Sequence, residues 1–335
     1  MKRTLPKAVF WIGLAGGALG CREELPLGAW DLTGFPASGG EAGAPHDEGD
    51  GGSSGGASGA GGGSVAEPGL PGCLEPGEPS AQSRVEERVV GATEMATDWT
   101  WPSPVPSMEW ELMIEREIER ASRDVPEAGY YWTYQFSFEG GVAGYFGIQA
   151  EGGYQEIPPT SEVFFTKMAV FWLSGPPLDA ELGDIAYPDA RVAPITAGGV
   201  SYLTIHARFD WRACHVYRFR VAPESTVSDG VWYGAWIYDL TDDVETFLGR
   251  MLLPADTGLF APASYSRTQP INRWEPMACG QRQPGSAIFG TPRSVEEGIT
   301  PMLHTNRFVA PFRCTVSQFT EFPGGVRHEL GLFPP

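Results

Sequence analysis

Alternation of apolar and polar side chains is the feature that most limits the folds open to this chain of 335 residues. In the stretch GYYWTYQFSFE, residues 129–139, one side of an extended backbone carries only aromatic side chains, those of Tyr130, Trp132, Tyr134, Phe136 and Phe138. The other side carries more polar residues, among them Thr133, Gln135 and Ser137. Because successive side chains of a strand point to opposite faces, this pattern predicts a β-strand with one buried face.

The same alternation recurs through the C-terminal part of the chain. It is found in AGYFGIQA (143–150), VSYLTIHARFD (200–210), HVYRFRV (215–221), GVWYGAWIYD (230–239), TFLGRMLLP (246–254) and the start of MEWELMIEREIERA (108–121). Helix-length stretches with a 3.6-residue period are lacking, except for an ambiguous pattern in MEWELMIEREIERA. We therefore predict an all-β fold, an antiparallel two-sheet sandwich of jelly-roll or concanavalin-like type.

The N-terminus has the layout of a secretory signal peptide. Lys2, Arg3 and Lys7 precede a twelve-residue apolar stretch over 8–19. That stretch is well short of the roughly 20 residues that a spanning helix needs. Residues 1–20 are therefore predicted to be a signal peptide that directs export.

Cys21 follows the signal peptide directly. The sequence Ala18-Leu19-Gly20-Cys21 resembles a bacterial lipobox, which implies that the Cys21 sulfur is diacylated and that the chain is exported to the bacterial cell envelope. Membrane attachment, at the outer membrane or the cell surface, would then be by this lipid anchor only. The alternative is ordinary cleavage after Gly20, which leaves Cys21 as a thiol or one half of a disulfide.

Residues 21–82 are predicted to form a flexible tether. The segment ASGGEAGAPHDEGDGGSSGGASGAGGGS (37–64) holds almost no large apolar side chain, and Pro-rich sequence continues to about residue 80. Such a segment cannot bury enough surface to offset the entropy lost on ordering. About 60 residues of this coil span roughly 40 Å, enough to hold a domain away from a membrane. The β-sandwich domain is assigned to residues 83–335.

Charge and motifs exclude several classes of function. The net charge of −19 disfavours a nucleic-acid partner. The sequence contains no P-loop, no G-x-G-x-x-G after a strand, no H-E-x-x-H and no G-x-S-x-G. No cofactor and no metal are predicted: the acidic run at residues 239–245 reads as a hairpin turn, where Asp is favoured, with a calcium site there as the alternative.

Four cysteines remain beside Cys21, namely Cys73, Cys214, Cys279 and Cys314. An even number in an exported chain predicts disulfides, with three possible connectivities. We favour a bond between Cys279 and Cys314, because both lie in a Pro/Gly-rich region whose loops gain most from a cross-link. A bond between Cys73 and Cys214 then follows by elimination.

Four strand segments together resemble an uncharacterised family of secreted β-sandwich domains. These segments are AGYFGIQ (143–149), MAVFWLSG (168–175), FDWRACHVYRFRV (209–221) and DGVWYGAWIYD (229–239). The match covers about residues 105 to 290. The second motif differs from the family pattern, and Cys214 stands near a position where a turn glycine is common. The resemblance implies export and a β-sandwich, and it favours glycans as ligands because members often accompany carbohydrate-related modules.

The side chains that alternate with the apolar set form the candidate ligand-binding face. Its members are aromatic, amide, imidazole and guanidinium groups, those of Tyr145, Gln149, Tyr202, His206, Arg208, Trp232 and Trp236. Aromatic rings beside hydrogen-bonding groups suit a sugar, which has an apolar C–H face and a rim of hydroxyls. We predict a binding module for a glycan or cell-envelope polysaccharide rather than an enzyme.

Two alternatives remain open. One is a passive adhesion or envelope-structure protein with no small ligand. The other is a polysaccharide lyase, in which Arg208 neutralises a uronate carboxylate and His206 or Tyr145 transfers the proton beside Gln149.

Replacing the proposed lipidation site tests the anchor. The wild-type protein is expected to partition into the detergent phase of a two-phase extraction, because acyl chains contribute roughly 0.8 kcal/mol per buried CH₂. Cys21→Ser is expected to move the protein to the aqueous phase. An unchanged distribution of the variant would contradict lipidation.

Overall fold

The computed structural model describes residues 70–73, 84–116, 129–155, 162–175, 183–187, 190–197, 200–270 and 285–332. Its strands are β1 (Arg84–Thr100), β2 (Met108–Ile114), β3 (Tyr130–Phe138), β4 (Ala143–Gln155), β5 (Glu162–Gly175), β6 (Gly183–Ile185), β7 (Ala190–Ala197), β8 (Val200–Arg208), β9 (Val216–Val227), β10 (Gly230–Asp239), β11 (Val244–Pro254), β12 (Phe260–Pro270), β13 (Gly285–Gly290), β14 (Leu303–Phe322) and β15 (Gly325–Leu332). A 3-10 turn, Ala255–Thr257, joins β11 to β12. None of the described segments is a helix long and apolar enough to cross a membrane.

The strands pair in the order β6-β11-β10-β9-β2-β13-β15-β14-β1-β12-β3-β4-β5-β8-β7. Every pairing between neighbours is antiparallel. The series is continuous, because β15 at the end of one layer also pairs with β14. We call the layer β6-β11-β10-β9-β2-β13-β15 the first sheet and the layer β14-β1-β12-β3-β4-β5-β8-β7 the second sheet. The two pack face to face, so the predicted antiparallel two-sheet sandwich is confirmed.

Aromatic rings from both sheets meet in the core between them. The indole of Trp110 on β2 stacks on Tyr134 of β3, with ring centroids 4.6 Å apart. Phe219 on β9 meets Phe146 of β4 edge to face at 5.0 Å. Edge-to-face and offset-stacked pairs stabilise by about 0.5–1.5 kcal/mol beyond the area that they bury. This interlocking fixes which face of each strand is apolar.

The predicted strands are observed, and so is the turn between β10 and β11 at residues 240–243. The prediction of one buried face is wrong for β3, however. Thr133 and Gln135 point away from the core, yet they are only 3% exposed. The Tyr265 hydroxyl of β12 donates to the Gln135 side-chain oxygen, and Arg267 of β12 lies directly opposite Thr133 in the strand pairing.

One disulfide lies within the described residues. Cys73 is bonded to Cys214, with the two Cα atoms 5.3 Å apart. This is the pairing that followed by elimination, and it ties the end of the predicted tether to the loop between β8 and β9. Cys21, Cys279 and the side chain of Cys314 lie outside the described residues, so lipidation and the Cys279–Cys314 bond stay predictions.

A fully buried histidine links three strands of the sandwich. The Nδ1 atom of His328 on β15 lies 3.1 Å from the Thr268 hydroxyl, and its Nε2 atom lies 2.8 Å from the Thr97 hydroxyl. Thr97 in turn donates to the Asn306 side-chain oxygen at 2.7 Å. Because the Thr97 hydroxyl donates there, it accepts from His328, and the neutral imidazole carries its proton on Nε2.

Burial lowers the pKa of His328 from 6.5 to about 3. The unfolded chain takes up a proton at this residue below about pH 6.5, whereas the folded chain does so only near pH 3. The stabilising contribution of neutral His328 is therefore complete above about pH 6.5 and is lost as the pH falls from there to about 3.

His328→Gln is expected to flatten the dependence of stability on pH. Between pH 6 and 4, the free energy of unfolding should fall less steeply in the variant, by up to about 1.4 kcal/mol per pH unit. Urea unfolding of the Cys21→Ser chain, with and without His328→Gln, at several pH values measures the difference. Parallel curves would show that His328 is not held neutral.

Candidate functional site

The seven predicted ligand-binding residues lie on different sheets. β4 and β8 of the second sheet carry Tyr145, Gln149, Tyr202, His206 and Arg208. β10 of the first sheet carries Trp232 and Trp236. The aromatic core separates the two groups, so they form two candidate faces rather than one site.

Gln149, His206 and Arg208 share one face of the second sheet. Gln149 pairs with Met168 of β5, and Met168 pairs with Arg208 of β8. Directly paired residues point to the same side of a sheet, and His206 lies two residues from Arg208 on the same strand. The order β4-β5-β8, which the sequence does not reveal, therefore places these three side chains on one face, which we call the polar face.

Most of the polar face is buried, contrary to the prediction that it faces outward into solvent. Tyr145 and Gln149 are 7% and 5% exposed, and Tyr202 and His206 are 0% and 8% exposed. The cause lies partly in ring stacking, because Trp172 of β5 contacts Tyr145 at 5.1 Å and Tyr202 at 5.2 Å between centroids. Burial also lowers the pKa of His206 to about 4. Of the predicted set on this face, Arg208 is the exposed member.

Two ion pairs extend the polar face across β12, β1 and β14. Arg267 of β12 binds Glu94 of β1 at 2.6 Å, and both side chains are buried. Arg307 of β14 binds Asp98 of β1 at 2.8 Å and lies over the Tyr265 ring at 5.0 Å. The sequence analysis missed these pairs, because their partners are 173 and 209 residues apart. Arg267 and Arg307 therefore each have a carboxylate partner.

The outer face of the first sheet carries a half-exposed row of rings that we call the aromatic strip. It consists of Trp232, Trp236 and Tyr238 on β10 and Phe247 on β11. The alternate residues of β10, Tyr233, Ala235 and Ile237, are buried in the core. The predicted alternation on this strand is therefore confirmed, and its tryptophans face outward.

Gly234 leaves room for the Trp236 indole to lie along β10. A Cβ atom at Gly234 would lie 2.1 Å from the indole Cη2 atom and 2.6–2.7 Å from two further ring carbons. The indole also stacks on the Phe247 ring at 5.0 Å. Only a residue without a side chain at position 234 leaves room for this arrangement, which the sequence analysis did not foresee.

Arginines lie over both tryptophans of the aromatic strip. The Arg220 guanidinium carbon is 4.4 Å from the Trp236 ring centroid, and the Arg250 guanidinium carbon is 4.8 Å from the Trp232 ring centroid. Such cation–π contacts are attractive and hold the ring in place. The strip therefore combines apolar ring surface with several N–H donors.

The acidic turn after β10 has its own hydrogen-bond partners. His215 Nδ1 lies 3.0 Å from Asp239, whose other oxygen accepts from the backbone N–H of Thr241 at 2.9 Å. Asp242 is paired with Arg212. His215, Asp239 and Asp242 have ligand atoms close enough to hold a cation. Asp239 also hydrogen-bonds within the turn between β10 and β11 that the sequence predicts.

No protein-family model matches the sequence, and no curated protein matches it. Solved structures that resemble the chain include Scytalido-glutamic peptidase with a peptide based transition state analog, at a TM-score of 0.35 and 10% identity, covering 75% of this chain and 100% of that chain. Scytalido-glutamic peptidase with a transition state analog inhibitor has a TM-score of 0.33 and 8% identity over the same shares. Scores this low carry no argument about function.

Gly234→Ala is expected to displace the Trp236 indole from the sheet. Crowding of this kind usually costs about 1–3 kcal/mol. The cost should shrink sharply when Trp236→Ala is already present, because the clash is then gone. A double-mutant cycle of unfolding free energies in urea measures this coupling. Equal costs in both backgrounds would show that the indole does not lie over Gly234.

Proposed function

We propose that the protein is an exported, lipid-anchored module that binds a saccharide through the aromatic strip. The observation that carries this proposal is the placement of two half-exposed tryptophans, Trp232 and Trp236, on one face of one strand. A large aromatic ring that remains partly accessible on the surface offers an apolar contact. The C–H face of a sugar ring is the complementary surface.

The geometry of the aromatic strip suits an extended ligand. Trp232 and Trp236 are four positions apart on one strand, so their Cα atoms lie about 13 Å apart. The Trp236 indole lies over Gly234, on the side toward Trp232, so the gap between the rings is shorter than that between the backbone positions. Several sugar units in a row would be needed to contact both rings, which favours an oligosaccharide over a monosaccharide.

Polar groups beside the rings complete the chemistry of a saccharide site. Arg220 and Arg250 place N–H donors next to the tryptophans, and Glu224 and Asp184 lie beside Arg250. Sugar hydroxyls both donate and accept, so paired guanidinium and carboxylate groups can satisfy them. The polar face of the second sheet offers similar residue types, but most of its side chains are buried.

Export and anchoring are supported from other parts of the chain. Residues 1–20 have the layout of a signal peptide, and Cys21 follows a small residue. The Cys73–Cys214 disulfide is of the kind that persists in an oxidising compartment outside the cytosol. A tether of about 50 residues, from Cys21 to the disulfide at Cys73, would then present the aromatic strip at a distance from the membrane.

A glycan array probed with the Cys21→Ser chain tests the proposed function. We expect binding to at least one oligosaccharide class, and a loss of about 1–3 kcal/mol for Trp232→Ala or Trp236→Ala, since aromatic anchors carry much of such binding.

Arg208→Ala provides the matched control, because Arg208 is exposed on the opposite sheet. This variant should bind as the parent does. If Arg208→Ala lost binding while both tryptophan variants bound fully, the saccharide site would lie on the polar face instead. Absence of binding to every glycan would leave an adhesion or envelope-structure role.

A further inference from the structure

The arginines around the aromatic strip differ in whether a carboxylate neutralises them. Arg218 lies 3.2 Å from Glu109 and 2.9 Å from Glu111. Arg250 lies 2.8 Å from Asp184 and 3.3 Å from Glu224. Both guanidinium groups therefore form ion pairs with acidic side chains of the same face.

Arg220 differs from Arg218 and Arg250 because, within the described part of the chain, it has no such ion pair. It faces Glu109 across the β2–β9 pairing, but the Oε1 atom of Glu109 is engaged by Arg218 and Arg293 at 3.2 and 2.7 Å. Among the residues that the structure describes, no carboxylate lies within ion-pair distance of Arg220, and its buried Nε atom has no hydrogen-bond partner. Its guanidinium instead lies over the Trp236 ring.

We propose that Arg220 is a carboxylate subsite and that the saccharide bound by the aromatic strip carries carboxylate groups, as uronic acids do. This inference rests on the proposed function. The planar guanidinium presents paired N–H groups that match a carboxylate in two parallel hydrogen bonds. The Trp236 indole, which lies between Arg220 and Phe247, supplies apolar contact beside it through its exposed edge.

Charge complementarity favours this ligand over a neutral one. The paired arginines of this face already have carboxylate partners, so Arg220 is the group whose charge a ligand would balance. The chain as a whole carries a net charge of −19. At physiological salt its repulsion extends only about 8 Å, so a contact carboxylate at Arg220 is attracted locally while a dense polyanion is repelled. The ligand is therefore a glycan with spaced carboxylates.

Matched pairs of ligands test the inference. Each uronate-containing oligosaccharide is compared with the same oligosaccharide after its carboxyl groups have been reduced to alcohols. The pairs contain galacturonate, glucuronate or mannuronate units. Calorimetry with the Cys21→Ser chain should give a roughly tenfold or greater preference for the acidic member of at least one pair, as expected for a charged hydrogen bond.

Variants assign that preference to one side chain. Arg220→Gln should remove it, so that the acidic and reduced ligands bind equally, while Arg220→Lys should retain part of it. Arg208→Gln is the control, because it removes the same charge from an exposed position on the opposite sheet. Its ratio of acidic to reduced affinity should stay at the parent value, and melting temperatures verify that each variant is folded.

The outcomes separate this inference from the proposed function. Tighter binding of neutral or reduced glycans would overturn the carboxylate subsite and leave saccharide binding intact. A preference for acidic ligands that survives Arg220→Gln would show that another group recognises the carboxylate. No glycan binding of any kind would overturn both proposals.

Discussion

The contact of aromatic rings between the two sheets determines the rest of the structure. Trp110 and Phe219 from the first sheet interlock with Tyr134 and Phe146 from the second. Since the side chains of a strand alternate, fixing the inner face of each strand also fixes its outer face. The aromatic strip on one sheet and the polar face on the other are both consequences of that core.

The fold could be predicted from the sequence because its signal is local. Alternation within β3, β8 and β10 identifies each strand and its apolar face from a few consecutive residues. Strand order is different, because it depends on contacts between residues far apart in the chain. The sequence could therefore not show that Gln149, His206 and Arg208 share a face while Trp232 and Trp236 lie on the other sheet.

The candidate site was predicted less well, for two physical reasons. A residue that points away from the core need not be exposed: Trp172 packs against both Tyr145 and Tyr202 and helps to bury them. The sequence pattern also does not show why a glycine is needed at a given position. Gly234 matters only because the Trp236 indole lies over it. The ion-paired state of each arginine likewise depends on partners from other strands, which is why Arg220 could not be singled out.

The proposed function requires a saccharide to contact the tryptophans of the aromatic strip. Fluorine NMR on protein labelled with fluorotryptophan observes this contact ring by ring, since the tryptophans that the structure describes lie on both faces of the sandwich and in its core. Replacing single tryptophans by Phe assigns the signals. On titration with a bound glycan, the Trp232 and Trp236 signals should shift, while those of Trp172 and the core indoles Trp110 and Trp132 stay in place. A shift confined to Trp172 would contradict the account.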